Sequence, residues 1–221
     1  MKISMQPKII RSRRRTLAIQ ILPDATLVVK VPLFTPMIFI NKFINQNLEW
    51  IENKLDLVRK QKTKTGEYTE GDLIFFLGKE YVIRYGDYTN IALKEKSMLI
   101  PIALKFRIKR ELTNWYIKHA RVLITKQVEY YSEQMKAPYM DLKFSDTKSQ
   151  WGRCTHDNKL QFNWRLIMAS MLVINYVVVH ELAHTIEKNH SRAFWSKVRL
   201  YNPSYRQQIK WLKENSQLLK I

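Results

Sequence analysis

The run His180-Glu181-Leu182-Ala183-His184-Thr185-Ile186-Glu187-Lys188-Asn189-His190 places three of the chain's five histidines within eleven residues. H-E-x-x-H on a helix is a zinc-binding pattern with a general base built in. Residues four apart lie one turn apart on the same helical face, so His180 and His184 can aim imidazole nitrogens at one ion. Glu181 projects to the side of that pair, within reach of a water on the ion but not as a ligand. His190 follows six residues after His184, a gap that suits a chain leaving the helix and folding back onto the ion. The predicted metal ligands are therefore His180, His184 and His190, and the predicted catalytic residue is Glu181. Imidazole nitrogens suit Zn2+, and three protein ligands leave a fourth position for water. A closed structural site would use four ligands, usually several cysteines, and Cys154 is the one cysteine here. The expected reaction is hydrolysis of a peptide bond by a metal-activated water, with Glu181 taking its proton.

Such a motif needs a helix to carry it. Met171 to Ile186 contains no Gly or Pro and is largely apolar, with Ser170 as the expected N-cap. An element apolar on most sides belongs in a core, where two histidines and a carboxylate are costly unless satisfied. Asn189 is expected to take the left-handed conformation that often ends helices. Upstream, Thr16 to Gln20 and Leu27 to Val31 read as strands around Pro23-Asp24-Ala25. A helix is expected from Pro36 to about Lys60, then a polar loop from Gln61 to Glu70. Short strands follow at Leu73–Leu77, Glu80–Tyr85, Ile91–Lys94 and Ser97–Ile100. One long helix is expected from about Leu104 to Met135, ended by Ala137-Pro138. Met140–Ser145 and Leu160–Trp164 are predicted to pair as strands, with His156-Asp157-Asn158-Lys159 turning between them. A last helix is expected over about Ser204 to Leu218.

Composition sets the frame. The 221 residues allow one large domain or two small ones. The longest tempting apolar stretch, Pro32 to Ile40, is too short for a membrane span and is broken by prolines. The first eight residues lack the apolar region of a signal peptide. One cysteine excludes an internal disulfide and fits a reducing compartment. A cytoplasmic protein with no membrane partner is the expectation. Thirty-eight Lys and Arg against 19 Asp and Glu give a net charge of +19, with a tight cluster at Arg11, Arg13, Arg14 and Arg15. That balance suits nucleic acid or another polyanion, although no nucleic-acid-binding motif accompanies it.

Several stretches together resemble the YgjP-like metallopeptidase family, related to SprT-like and other minimal zincins. They are Lys148-Ser149-Gln150-Trp151-Gly152-Arg153-Cys154, Asn163-Trp164-Arg165-Leu166, Tyr176-Val177-Val178-Val179-His180-Glu181-Leu182-Ala183-His184 and Asn189-His190-Ser191-Arg192-Ala193-Phe194-Trp195. The tail Asn202-Pro203-Ser204-Tyr205-Arg206 is similar too. Gln150 stands where the family usually has Arg, and Arg153 where it has Ser. The His184 to His190 interval equals that of metzincins, but Glu187 stands where they place Gly. The resemblance implies a zinc metallopeptidase acting on a peptide or protein substrate. It also implies that Trp151-Gly152 lies on an edge strand that pairs with extended peptide.

The fold class expected is α+β. Residues 104–221 would form a zincin-like metallopeptidase half, with a long helix, a small antiparallel sheet and the metal-binding helix. Residues 1–103 would form a β-rich part with one helix, as its own domain or as a layer of a single one. Oxyanion stabilisers stay open among Tyr176, Arg153, Arg192, Tyr201, Tyr205 and His156. Cys154 reads as a small buried hydrophobe rather than a zinc-capping thiolate. The alternative to a peptidase is a basic nucleic-acid-associated protein, or a protease acting on DNA-bound proteins.

Overall fold

The computed structural model describes residues 7–22, 25–61, 68–147, 150–216 and 219, with backbone alone over 57–61. The predicted turn at Pro23-Asp24, most of the Gln61–Glu70 loop and Lys148-Ser149 fall outside them. The chain forms two compact units, residues 1–67 and 68–221. Together they hold six α-helices and three small sheets among the described residues, a mixed α/β architecture.

In the first unit, β3 (Leu27–Pro32) is the centre of a three-stranded sheet. It pairs in parallel with β1 (Lys8–Ser12) and antiparallel with β2 (Ala18–Ile21). Leu27, Val28, Val29 and Val31 are buried, as a central strand of Val and Leu requires. Ile40 and Ile44 of α1 (Met37–Gln46) and Ile51 and Leu55 of α2 (Leu48–Gln61) complete this core. The single predicted helix is thus two, because the chain breaks at Asn47, whose side-chain amide donates to Phe43 O. The sequence suggests a strand in which Arg11, Arg13 and Arg15 share one exposed face. β1 ends at Ser12, holds Arg11 alone of these, and has four of its five residues exposed, so no buried alternation marks it.

The second unit begins with a sheet in the order β4-β5-β7-β6: β4 (Leu73–Phe76), β5 (Lys79–Gly86), β6 (Ala92–Lys94) and β7 (Ser97–Pro101). The predicted boundary at residue 103 put these strands with the N-terminal part. They belong instead with the second unit, because Ile74, Ile83, Met98 and Ile100 enter its core. The long helix is α3 (Ile108–Met135), preceded by a 3-10 turn over Ile102–Arg107. Its buried stripe runs Ile108, Leu112, Tyr116, Ala120, Ile124 and Val128, one residue per turn. Lys136 then turns left-handed at φ 49°, and Ala137-Pro138 leads away as predicted.

The second sheet is β8-β10-β9, with β8 (Asp141–Ser145), β9 (Gly152–Cys154) and β10 (Lys159–Asn163). β8 and β10 do pair, but in parallel, so the predicted small antiparallel sheet is mixed. The turn at 155–158 joins β10 to β9, which pairs with it antiparallel. The chain between β8 and β9 is tied down by Asn163, which donates to Thr147 O and Gln150 O and accepts from Arg165 N. After β10, a 3-10 turn (Trp164–Met168) leads into α4 (Met171–Ile186). The chain closes with α5 (Arg192–Tyr201) and α6 (Tyr205–Asn215). The sequence reading has no counterpart of α5; the last predicted helix corresponds to α6, with its final residues outside the described ones.

Gly78 shows how closely the start of α4 is held. Its N–H donates to Met168 O at 3.0 Å, and at φ +77° a Cβ there would lie 2.9 Å from Ser170 Cα. Glycine lets the β4–β5 turn seat against the N-cap residue. Ser170 caps α4 through its carbonyl, which accepts from Val173 N and Ile174 N.

Candidate metal centre

α4 is buried on nearly every side, with Val173, Ile174, Val177, Val178, Val179, Leu182 and Ala183 in the core. This packing fixes the helix rotation, and with it the direction of His180, Glu181 and His184. The helix ends at Glu187, which is extended (φ −121°, ψ 102°) and donates its N–H to Ala183 O. Asn189 does not turn left-handed; Asn158 and Lys136 are among the residues that do. The stretch before His190 is held otherwise. Ser191 N donates to Asn189 O at 2.7 Å, and Lys188 Nζ reaches Asn158 Oδ1 and Thr155 O in the β9–β10 turn. Ser191 then caps α5 by accepting from Phe194 N at 3.2 Å.

These supports bring the three histidines together. His190 Nε2 lies 3.2 Å from His184 Nε2 and 3.2 Å from His180 Nε2. All three ligand atoms fall within 4.8 Å of one another. Nitrogens bound tetrahedrally at zinc distances are separated by ~3.3 Å. Three ring nitrogens converging at this spacing match the donor set a single cation takes, so the group fits a metal ion. The outer ring nitrogens have partners of their own. His180 Nδ1 is 3.4 Å from the Tyr176 hydroxyl, and His184 Nδ1 is 3.1 Å from Glu187 O. The tautomer that leaves Nε2 free for a cation puts the proton on Nδ1, where both contacts accept it.

Phe194, fully buried, forms the floor beneath the rings. Its centroid is 5.0, 4.4 and 4.7 Å from those of His180, His184 and His190. Trp195 stacks on His190 at 5.6 Å and on Tyr205 at 5.2 Å. Burial, then the neighbouring His184 and His190 rings, lower the His180 pKa to about 3. His184 is lowered too, chiefly by burial. Both imidazoles are therefore held neutral, the form that binds metal.

Glu181 is 6% exposed, and β9 is what holds it. A Cβ on Gly152 would stand 2.6 Å from Glu181 Cγ and 2.7 Å from Oε1. Only glycine lets the carboxylate lie this close to the strand. The Cys154 N–H donates to the same carboxylate. Burial pushes its pKa up to about 8, and that backbone donor opposes the rise. A buried carboxylate poised near neutrality can take and return a proton. Gly152 and Phe194 are the site residues that sequence reasoning missed. The Trp151-Gly152 and Phe194-Trp195 pairs were visible as motif residues, but not their contacts.

The remaining predicted residues divide clearly. Tyr176 lies by His180, its pKa raised to about 12 by burial and then by Glu181 and Tyr205. The Tyr201 hydroxyl is committed to Gln134 O at 3.1 Å. Arg153, His156 and Arg192 are exposed. Cys154 is half-buried, outside the histidine group, with its thiol pKa raised mainly by burial. His119 bonds to Trp115 O and stacks on that ring at 4.0 Å, a structural role on α3.

A mixed α/β protein that gathers three imidazoles beside a buried carboxylate has the makings of a metal-dependent hydrolase. Residues 15–215 match the family described as YgjP-like, metallopeptidase domain, and the chain belongs to that family. It is thus, at the level of the family, a metal-dependent protease. Among solved structures, the metallopeptidase zymogen of Pyrococcus abyssi abylysin is similar over 41% of this chain and 96% of its own, at 16% identity and a TM-score of 0.36. No curated protein matches the chain. No helix among the described residues is long and apolar enough to cross a membrane.

Proposed function

We infer that this chain is a zinc-dependent peptidase of the zincin type, in which His180, His184 and His190 hold the ion and Glu181 is the general base. The convergence of three Nε2 atoms, two of the separations being 3.2 Å, carries this reading. When bound, Zn2+ supplies a Lewis acid that acidifies water and polarises the scissile carbonyl. The residues of the chain do the rest. Glu181 takes a proton from water and hands it to the departing amine. Gly152 and the Cys154 N–H keep its carboxylate aimed, so that little reorganisation accompanies the transfer. Tyr176 and Glu187 O accept from the outer nitrogens and fix the His180 and His184 rings. Trp195 restrains His190, which comes from a turn and not from the core helix. The substrate proposed is a peptide or protein.

The test is hydrolysis of an unfolded casein substrate by the zinc-loaded protein and its Glu181→Gln variant. Cleavage that falls by ~10²–10⁴ in the variant, with zinc retained, is expected. Equal cleavage by both forms would remove Glu181 from the reaction.

A further inference from the structure

The first unit displays apolar side chains that the metal centre described above does not include. Between Leu33 and Phe39, five large apolar side chains are exposed: Leu33, Phe34, Met37, Ile38 and Phe39. Phe34, at the turn between β3 and α1, is 94% exposed, and Ile38 is 73% exposed. Soluble surfaces rarely gather such residues in one run. Beside them, Ser12 pairs with Pro32 at the end of β1, so Arg13 and Arg14 flank the turn. These two arginines, with Leu33, Phe34 and Pro36, line a shallow groove of about 490 Å3. Arg11 fixes the display: its guanidinium donates to Leu33 O at 2.9 Å and to Thr35 O at 2.8 Å. The first 48 residues contain eight Lys and Arg and a single acid, Asp24.

We propose that this turn and the arginines beside it dock the chain onto an anionic lipid surface. Phe34 and its aliphatic neighbours enter the headgroup boundary, and Arg13 and Arg14 meet the lipid phosphates. Cations next to projecting apolar side chains are the combination that binds charged bilayers from one side. A second copy of the chain would bring the same positive charge to the contact and be repelled. Nucleic acid would satisfy the arginines but leave Leu33, Met37 and Ile38 in water, since aliphatic side chains offer no stacking face. No membrane partner was expected from the sequence, but that no helix among the described residues can cross a membrane does not bear on surface docking. The proposal rests on the first unit alone and stands whether or not the metal centre hydrolyses peptides.

Co-sedimentation of the full chain with vesicles tests it, comparing phosphatidylcholine alone with an equal mixture of phosphatidylcholine and phosphatidylglycerol. Binding to the mixed vesicles alone is expected, weakening as salt is raised. Phe34→Ser should lower that binding about tenfold or more, and Arg13→Gln about fivefold at low salt. Because Phe34 is solvent-facing, its variant should keep the parent's circular dichroism and melting temperature. No preference for anionic vesicles would overturn the proposal. So would binding to a single-stranded oligonucleotide or an acidic peptide that Phe34→Ser leaves intact, with no vesicle binding.

Discussion

The two units place their unusual residues in opposite ways. The second takes polar groups that belong in water, two half-buried imidazoles and a buried carboxylate, and sets them on its most apolar helix. The second also leaves single apolar side chains such as Phe106 and Met140 in solvent, but the first gathers five of them, Phe34 and Ile38 foremost, in one run from Leu33 to Phe39. Each placement costs free energy in the isolated chain. In the second unit the local compensation is visible: a backbone N–H from β9 for Glu181, a hydroxyl and a carbonyl for the histidines, and convergent nitrogens that fit a cation. In the first, no such compensation lies within the turn itself, so it is sought in a partner. Residues placed against their solvation preference motivate both proposals, and the site of compensation indicates what each one would meet.

The contrast can be broken or sharpened by substitution. The largest effect expected is on catalysis by Glu181→Gln, described above. Next is Phe194→Ala, which removes the floor under all three rings. It should cost ~3–5 kcal/mol of stability in urea unfolding and weaken zinc binding in parallel. A variant that unfolds like the parent and binds zinc equally well would show that the ring is not a support. Gly152→Ala comes third. The added methyl must displace Glu181, so cleavage should drop by ~10–10² while zinc content stays unchanged. Unaltered cleavage would mean that the carboxylate is not held by β9.

The metal-free protein gives a signed pH test. Glu181 has a folded pKa of about 8, above its ordinary value of 4.5. The fold therefore favours its protonated form, a contribution complete below pH 4.5 and lost as pH rises through 8. His180 runs the other way, with a folded pKa of about 3 against an ordinary 6.5. Its contribution is complete above pH 6.5 and lost as pH falls toward 3. Glu181→Gln should therefore stabilise the metal-free protein at pH 8 by on the order of 2–4 kcal/mol, and by much less at pH 4.5. Melting curves at the two values decide it; an equal gain at both would contradict burial as the cause. The smallest effect belongs to the first unit, where Phe34→Ser should leave stability within ~0.5 kcal/mol.

Sequence patterns revealed what depends on spacing. α4 begins at Met171 and ends at Ile186 as its composition implies, and the H-E-x-x-H spacing alone identifies which imidazoles share a face. The end of α3 follows from Ala137-Pro138. Features that depend on long-range pairing were not legible. No local pattern announces that β8 joins β10 in parallel, or that Gly152 lies against Glu181, twenty-nine positions later. The bounds of β1 were hidden because four of its five residues are exposed and leave no buried alternation, and the break at Asn47 by an unbroken helical pattern across it. α5 carries an N-cap at Ser191, but it follows the third histidine too closely to stand out. The turn before His190 was anticipated, and its means was not: Lys188 reaches across to the β9–β10 turn where a left-handed asparagine was expected.

The central claim is that three imidazoles from a core helix and the turn beyond it grip one cation. Metal analysis of the purified protein beside its His184→Ala variant addresses it directly. One zinc ion per chain in the parent and little in the variant is the predicted result. Equal zinc in both, or none in a parent offered zinc at neutral pH, would contradict the account.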